Sequence, residues 1–173
     1  MNSLTKSSVN MQHNKCVFLD RDGVINNNEH APFTWQIENF FINEGVIEFM
    51  HLCRKKGYLL VLISNQGAIA LNYYTRYDTD ILHDYLAMEL AKHNLAFDAM
   101  YYCPHHHTVE KCICRKPDSG MLEKAMARFA IDPERSFFIG DSTVDIKAGE
   151  KAGLHSIKIQ ANENLMNYTA ILE

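Results

Sequence analysis

The chain has 173 residues, of which 47% are hydrophobic and 22% charged, so it is long enough to bury the core of one domain. Its 17 lysine and arginine residues against 21 aspartate and glutamate residues give a formal net charge of −4. This balance provides no general basic field for binding nucleic acid or an anionic membrane, which leaves a small soluble molecule as the expected partner.

The first 14 residues are polar and rich in Ser and Asn, which predicts a flexible segment ahead of a single domain over residues 15–173. They contain no apolar core of signal-peptide length, and no run of about 18 apolar residues follows. A cytoplasmic location is therefore expected. The chain has five cysteines, and three of them lie between Cys103 and Cys114. In a reducing compartment this spacing favours metal binding over disulfides.

Short apolar runs alternate with segments of helical periodicity along the rest of the chain. The apolar runs predict five strands, at 16–20, 58–64, 97–102, 136–139 and 154–159. Apolar residues at helical spacing predict helices at 44–56, 78–94, 119–129 and 144–151. Residues 26–43 are predicted to form an ordered loop or flap, and residues 161–173 a short closing helix or a loose end.

Strands that alternate with helices predict an α/β fold, a doubly wound, Rossmann-like parallel sheet with right-handed crossovers. Sheets of this kind bind ligands at the carboxyl ends of their strands. Four side chains with suitable chemistry lie at or just past the carboxyl ends of predicted strands: Asp20, Ser64, Cys103 and Asp141. Residues far apart in the chain are therefore expected to converge on one edge of the sheet.

Two pairs of carboxylates lie next to these strand ends. The sequence Asp-Arg-Asp-Gly at 20–23 places two acids two residues apart, with a glycine that permits a tight turn, so a nucleophile and a proton donor could face one substrate. The sequence Gly-Asp-Ser-Thr-Val-Asp at 140–145 places two more acids at the start of a helix. Carboxylate oxygens suit a hard cation such as Mg²⁺, which lets an anionic nucleophile approach an anionic phosphate.

Several of these residues also have ordinary structural explanations. Asp145 could be an acid favoured by the helix dipole, Ser64 a turn residue and Lys116 a solvated charge. Arg21 would face away from the two acids if the strand continued, as a structural residue. Asp20 is different, because a carboxylate directly after Val-Phe-Leu is hard to place in a core without a partner.

Residues 103–114 supply three cysteines and three histidines. A tetrahedral zinc site needs four such ligands, and the most economical set is Cys103, His105, Cys112 and Cys114. His107 is the alternative to His105. Four protein ligands close a zinc site, so the metal would hold the loop in place and would not activate water. The competing explanation is that three cysteines share a loop by accident.

In chain order the motifs are Asp-x-Asp-Gly-Val at 20–24, Ser-Asn-Gln at 64–66, Arg-Lys-Pro at 115–117 and Gly-Asp-x-x-x-Asp at 140–145. Their order and their placement at predicted strand ends resemble the four motifs of the haloacid dehalogenase-like (HAD-like) hydrolases. The match spans residues 16–153. The resemblance implies a magnesium-dependent phosphatase that works through an aspartyl-phosphate.

The resemblance also implies a role for each matching residue. Asp20 would be the nucleophile, and Asp22 the general acid and later the base. Mg²⁺ would be held by the Asp20 carboxylate, the Asp22 backbone carbonyl and Asp141, with Asp145 in support. Lys116 would offset charge on Asp20 and on the transferring group. The residues expected to bind the substrate are Ser64, Asn65, Arg115 and Lys116.

The Asp-Arg-Asp-Gly motif and the Cys-x-His…Cys-x-Cys-Arg-Lys-Pro segment narrow the resemblance to a capless subgroup with a zinc loop. That subgroup contains D-glycero-D-manno-heptose 1,7-bisphosphate phosphatases and histidinol-phosphate phosphatase domains. The first expected substrate is the 7-phosphate of the heptose bisphosphate, and the alternative is histidinol phosphate or another small monophosphate. Without a cap, specificity is expected from the loops at 26–36, 67–77 and 103–118, in a monomeric enzyme.

Two positions depart from the heptose phosphatase pattern. Those enzymes usually continue the second motif as Asn-Gln-Ser-Gly-Ile with an Arg-Gly soon after, whereas residues 65–72 read Asn-Gln-Gly-Ala-Ile-Ala-Leu-Asn. The fourth motif usually has a basic residue after its first Asp, where this chain has Ser142. Both changes remove positive charge near the pocket and put recognition of a second substrate phosphate in question.

Two other functions use parts of the same pattern. A nucleic-acid 3′-phosphatase shares the four motifs, but the acidic net charge and the lack of a basic face disfavour it. A zinc-stabilised binding module without catalysis would leave the presence of Asp20, Asp22, Lys116 and Asp141 unexplained.

Overall fold

A computed structural model describes residues 13–31 and 33–172, and a five-stranded parallel sheet forms its centre. The strands are β1 (Cys16–Leu19), β2 (Leu59–Asn65), β3 (Ala99–Cys103), β4 (Phe137–Gly140) and β5 (His155–Lys158). The helices are α1 (Val46–Lys55), α2 (Arg76–Ala91), α3 (Gly120–Phe129) and α4 (Thr143–Lys151). Short 3-10 helices cover Ile37–Asn39, Pro133–Arg135 and Leu165–Leu172.

The strand order β3-β2-β1-β4-β5 confirms the doubly wound parallel sheet. From β1 the chain moves outward through β2 and β3, then crosses to the other side of β1 to form β4 and β5. The order therefore reverses between β1 and β4, and ligands bind at such a switch point, outside the carboxyl ends of the strands. Asp20 follows β1 and Asp141 follows β4, so the first and last acidic motifs flank this crevice.

The sheet is buried on both faces because its central strands are apolar throughout. All four residues of β1 are fully buried. Val17 and Leu19 belong to one apolar cluster, which also contains buried residues of α1 and α2. Cys16 and Phe18 face a second cluster, with buried residues of α3 and α4. Continuous apolar runs of this kind are typical of parallel strands covered by helices on both sides.

Element boundaries differ from the predicted ones by one to three residues, and α2 shows a physical reason. The helix begins at Arg76 and not at Asp78, because the Thr75 hydroxyl accepts from the Asp78 backbone N–H at 3.2 Å. The Asp78 carboxylate in turn accepts from the Thr75 backbone N–H at 2.7 Å. This capping box satisfies two backbone donors at the helix start.

The connections after β1 and β2 run through residues 20–45 and 66–75, and neither contains a cap domain in the part of the chain that the structure describes. This agrees with the capless architecture expected from the sequence. The predicted flexible segment lies outside the described residues except at its end, where the Asn14 backbone exchanges hydrogen bonds with Ala130 and Asp132. Among the described helices, none has the length and apolar character needed to cross a bilayer.

Candidate active site

The deepest part of the site is a charge cluster at the end of β1. Asp20 Oδ1 lies 2.7 Å from Lys116 Nζ, and the same ammonium lies 2.6 Å from Asp145 Oδ1. Lys116 also donates to the backbone carbonyl of Ile63 at 3.0 Å. All three charged side chains are buried. The Lys116 cation therefore lies between two carboxylates, and the three residues are far apart in the chain.

Burial and charge pairing oppose each other in this cluster. Burial raises the pKa of Asp20 to about 7, even though the Lys116 ammonium favours the ionised carboxylate. For Lys116, burial alone would lower the pKa, but Asp20 and Asp145 outweigh it and raise the pKa above its ordinary value. The lysine is thus held as a cation. A second cation near Asp20 would keep its carboxylate ionised and available as a nucleophile.

Asp141 completes a group of three carboxylates that could hold such a cation. Oxygen atoms of Asp20, Asp141 and Asp145 all lie within 4.8 Å of one another. Burial, and then the negative charge of Asp145, raises the pKa of Asp141. Hard oxygen donors at this spacing suit Mg²⁺. The donor set therefore fits the metal that the sequence predicts.

Gly23 allows the first motif to approach this group. Its φ of +83° lies in the left-handed region, and a Cβ at this position would lie 2.2 Å from Asp141 Oδ2. Any other residue would therefore displace the acid or the turn that carries Asp22.

Asp22 lies at the mouth of the site, where its side chain is 31% exposed. Arg21 Nη2 donates to both of its carboxylate oxygens at 3.0 Å, Asn26 Nδ2 to Oδ1 at 3.2 Å and Gln66 Nε2 to Oδ2 at 3.0 Å. The two acids of the first motif therefore occupy different environments, one buried beside Lys116 and one held at the surface of a cavity.

Arg21 does not face away from the acids, because β1 ends at Leu19 and strand alternation does not continue to it. Its side chain is fully buried. Besides Asp22, its Nη2 contacts the backbone carbonyl of Thr34 at 2.5 Å. Arg21 therefore attaches the loop at 26–36 to the second acid.

Ser64 and Asn65, both expected to bind substrate, lie in the last residues of β2. Ser64 is buried, and its hydroxyl accepts from Gln66 Nε2 at 2.7 Å. The Asn65 side chain donates to the Lys116 carbonyl and accepts from the Lys116 N–H, both at 3.0 Å. Asn65 therefore holds the backbone of the lysine in place, although it also lines the cavity at the mouth.

The structure brings Cys103, His105, Cys112 and Cys114 into one group. Cys103 Sγ lies 3.7 Å from Cys112 Sγ and 3.5 Å from His105 Nδ1, close to the edge length of about 3.7 Å in a zinc tetrahedron. Cys114 Sγ lies closer, at 3.1 Å from Cys103 Sγ and 3.2 Å from His105 Nδ1. The sulfur atoms are too far apart for disulfides, which need about 2.05 Å. The group contains His105 and not His107. Thiolate and imidazole donors at these distances fit a zinc ion.

Arg115 directly follows the last residue of this group. Its guanidinium donates to the His105 carbonyl at 3.0 Å, so the loop fixes its direction. It lines a cavity of about 260 Å³ together with Asp22, Leu71, Tyr74 and His106. A second cavity, of about 540 Å³, lies on the side of the Cys/His loop and is also lined by Asn65, Arg115 and Lys116. Substrate groups could therefore extend to either side of Arg115.

Comparisons with known proteins agree with this geometry. A HAD-hydrolase-like family model matches residues 113–164. The D-glycero-β-D-manno-heptose-1,7-bisphosphate 7-phosphatase of Haemophilus influenzae is 40% identical over 141 residues, 79% of this chain and 76% of that protein. The corresponding α-anomer enzyme of Campylobacter jejuni is 41% identical over 149 residues, 86% of this chain and 83% of that protein. The chain belongs to the heptose-bisphosphate phosphatase family of HAD-like hydrolases.

Solved structures lead to the same family. A crystal structure of D,D-heptose 1,7-bisphosphate phosphatase from B. bronchiseptica, complexed with magnesium and phosphate, superposes with a TM-score of 0.79 at 28% identity. The match covers 90% of this chain and 86% of that one. The protein is therefore a phosphatase, and HAD-like phosphatases generally use Mg²⁺. The resemblance stated from the four motifs is confirmed.

Of the two departures from the heptose phosphatase pattern noted in the sequence, the one at 65–72 lies at the cavity, whereas Ser142 does not line it. Leu71 lines the cavity, in the segment where the heptose phosphatase pattern has an arginine. At Gly67 a Cβ would lie 2.6 Å from Arg115 Nη1, so the glycine leaves room for the guanidinium. Ser142 caps α4, and its hydroxyl bonds the Asp145 carboxylate. Only the departure at 65–72 therefore lies where substrate is expected to bind.

Gln66 and Tyr74 were not among the site residues predicted from the sequence, and the structure links both to Asp22. Gln66 is buried and donates to the Asp22 carboxylate, and the Tyr74 hydroxyl donates to Gln66 Oε1 at 2.5 Å. For Gln66 a signal was present, because it follows Asn65 in the second motif. For Tyr74 only its position in a loop expected to set specificity pointed to the site.

Proposed function

We propose that this chain removes the 7-phosphate of D-glycero-D-manno-heptose 1,7-bisphosphate through a phosphorylated Asp20. The observation that carries the proposal is the buried contact of 2.7 Å between Asp20 and Lys116, beside Asp141 and Asp145 at the switch point of the sheet. The substrate is that of the relatives at about 40% identity.

In the first step, a carboxylate oxygen of Asp20 attacks phosphorus and the bond between phosphorus and the ester oxygen breaks. The Asp22 carboxyl gives its proton to the departing oxygen, so the sugar leaves as an alcohol. Lys116 stays beside Asp20 and offsets negative charge as the phosphoryl group arrives. The products of this step are the sugar monophosphate, an aspartyl-phosphate at Asp20 and ionised Asp22.

In the second step, a water oxygen attacks phosphorus of the aspartyl-phosphate while Asp22 takes one proton from the water. The bond between phosphorus and the Asp20 oxygen breaks, which releases inorganic phosphate and restores the free carboxylate. Asp22 ends protonated, ready for the next substrate. The exposed position of Asp22 at the cavity suits both directions of proton transfer.

Mg²⁺ would be held by the Asp20 carboxylate, the Asp22 backbone carbonyl and Asp141, with Asp145 in support through Lys116. Bound there, the ion supplies positive charge that lets an anionic carboxylate approach an anionic phosphate. Zn²⁺ would be held by the four residues of the Cys/His group. Its role would be structural, since it would fix the loop that carries Arg115 and Lys116.

The transferring phosphate would contact the Ser64 hydroxyl and the Lys116 ammonium. Arg115 is the cation best placed for a more distant phosphate, because its side chain is fixed toward the cavity by the His105 carbonyl. Asn65 contributes by holding Lys116. We further propose that the enzyme acts as a cytoplasmic monomer, consistent with its five free cysteines.

A second candidate substrate is histidinol phosphate or another small monophosphate. The observation in its favour is the apolar Leu71 in the cavity wall, which leaves fewer cations for a second phosphate. A monophosphate needs only the groups around Asp20.

The test is Mg²⁺-dependent phosphate release by purified protein from both anomers of the heptose bisphosphate, from histidinol phosphate and from simple sugar monophosphates. We expect the highest kcat/KM for one heptose bisphosphate anomer. Asp20→Asn, which keeps the size of the side chain, should abolish turnover and leave the fold intact. An Asp20→Asn protein that keeps most of its activity would refute the mechanism, whereas preference for a monophosphate would refute the substrate alone.

A further inference from the structure

Gln66 is almost completely buried, and its side-chain amide is bonded at both ends. Its Nε2 donates to Asp22 Oδ2 at 3.0 Å and to Ser64 Oγ at 2.7 Å. Its Oε1 accepts from the Tyr74 hydroxyl at 2.5 Å and from Arg21 Nη2 at 3.2 Å. The amide therefore links the second acid of the first motif to a serine at the phosphate site and to a tyrosine in the cavity wall.

The four partners permit one orientation of this amide. Both groups at its oxygen end are donors, and both groups at its nitrogen end can accept. Burial raises the pKa of Tyr74 to about 12, so its hydroxyl keeps its proton and can donate. Rotating the amide by half a turn would set its oxygen against the Asp22 carboxylate and its NH₂ group against Arg21. Tyr74 and Arg21 thus keep an N–H directed at Asp22.

Tyr74 is in turn held by aromatic residues of the loop at 26–36. Its ring stacks on Trp35, with centroids 6.0 Å apart and an angle of 14° between the planes, and lies 6.5 Å from Phe33. The tyrosine is only 6% exposed. Its hydroxyl therefore has little freedom to turn away from Gln66.

We infer that Gln66 and Tyr74 are positioning residues for the general acid, which together hold the Asp22 carboxyl at the cavity wall in the direction needed to protonate the leaving oxygen. The inference rests on the proposed role of Asp22. Gln66 acts through its hydrogen bond to Asp22 Oδ2, and Tyr74 acts through Gln66. Arg21 and Asn26 also donate to Asp22, so loss of the Tyr74 hydroxyl loosens the acid without releasing it.

A positioning role predicts that the loss of activity depends on the basicity of the leaving oxygen, which a general loss of structure would not produce. A misplaced acid slows the departure of a basic oxygen, which must take a proton as its bond to phosphorus breaks. It hardly affects an oxygen that leaves as a stable anion. Substituted phenyl phosphates of similar size separate the two cases, and kcat/KM reports the steps up to departure of the phenol.

The experiment compares wild-type enzyme with Tyr74→Phe on phenyl phosphate and 4-nitrophenyl phosphate in the presence of Mg²⁺. The variant should lose about fivefold to tenfold in kcat/KM on phenyl phosphate, as expected for one buried hydrogen bond, and less than about twofold on 4-nitrophenyl phosphate. Tyr102→Phe is the matched control, because it removes a tyrosine hydroxyl that bonds Asp80 of α2 at 2.9 Å and takes no part in the hydrogen bonds around Asp22. It should change neither substrate.

Gln66→Met removes the amide and keeps a side chain of similar size. It should lose more kcat/KM on phenyl phosphate than Tyr74→Phe does, again with little loss on 4-nitrophenyl phosphate. Asp22→Asn, which removes the acid itself, sets the upper limit of this loss. Equal losses on both phosphates in Tyr74→Phe and Gln66→Met, beside a selective loss in Asp22→Asn, would overturn the positioning role and leave the proposed function standing. If Asp22→Asn itself shows no selectivity, the proposed general acid is wrong and the inference fails with it. Asp20→Asn tests the nucleophile separately.

Discussion

The charged centre of the site (Asp20, Lys116, Asp141 and Asp145) and the rim around it (the loops at 26–36, 67–77 and 103–118) are stabilised in different ways. In the centre, Asp20, Lys116 and Asp145 are buried, and the Lys116 ammonium lies within hydrogen-bonding distance of both carboxylates. Asp141, which is half-buried, directly follows β4 and lies beside them. The rim contains partly exposed aromatic and aliphatic side chains, such as Phe33 at 41% and Leu71 at 37% exposure.

The difference indicates which part of the enzyme can change. Removing one member of a buried charge cluster leaves an uncompensated charge, which costs about 3–5 kcal/mol. A half-exposed rim residue can be replaced for a few tenths of a kcal/mol. Changes to the residues expected to carry out the reaction therefore also destabilise the protein, whereas changes to the rim residues expected to select the substrate do not.

The strongest test of the centre is Lys116→Met, which keeps the chain length of the side chain and removes its charge. Asp20 and Asp145 would lose their shared cation, so we expect kcat to fall by about 100- to 1000-fold at saturating Mg²⁺. Lys151→Met, which breaks an exposed ion pair with Asp118, is the control and should keep wild-type kcat. A modest loss in Lys116→Met would mean that the metal alone neutralises the centre.

The Cys/His loop at 103–114 leads directly into Arg115 and Lys116, and Cys112→Ser tests whether zinc in this loop connects the rim to the centre. We expect substoichiometric zinc by elemental analysis and a fall of about 10- to 100-fold in kcat/KM, because Arg115 and Lys116 follow the disrupted ligand group. Cys53→Ala changes a core thiol outside the group and should keep its zinc. Full activity of a zinc-free protein would show that the loop holds its shape without metal.

The rim is tested most directly by Leu71→Arg, which adds a cation at the cavity wall. Kinetics with the heptose 1,7-bisphosphate and with a monophosphate of the same sugar should show kcat/KM for the bisphosphate rising roughly tenfold relative to the monophosphate, since a charged hydrogen bond to the second phosphate becomes available. Ile81→Arg adds the same charge on α2 outside this cavity and controls for the general field. A similar rise in this kcat/KM ratio with both variants would mean that the added positive charge acts through the general electrostatic field and not through a contact at the rim.

Much of the fold and of the centre could be predicted from the sequence. Apolar runs such as 16–19 and 59–63 are long enough to identify buried parallel strands, and the topology rules then bring the residues after them to one edge. Asp20 and Asp141 were found in this way. Lys116 was found only as part of an ordered set of motifs, because a single lysine in a loop carries no signal of its own.

The remaining features depend on contacts between distant residues. The Asn65 amide bonds the backbone of Lys116, 51 positions later in the chain, and Gln66 bonds Asp22, 44 positions earlier. Local periodicity contains no information about such partners. Asn65 was therefore assigned only from its motif, and Gln66 was missed. The direction of Arg21 depended on where β1 ends, and a shift of one residue in a strand end reverses the face of a side chain.

The position of β1 also determines how the site behaves over time. Its four residues are fully buried and paired with β2 on one side and β4 on the other, so their amide hydrogens should exchange with solvent only when the whole protein unfolds. Loops at the rim, with fewer backbone hydrogen bonds, should exchange through local opening. Asp20, the proposed nucleophile, is thus attached to a strand that should open only on global unfolding, whereas the surfaces expected to receive the substrate should rearrange many times within the life of one folded chain.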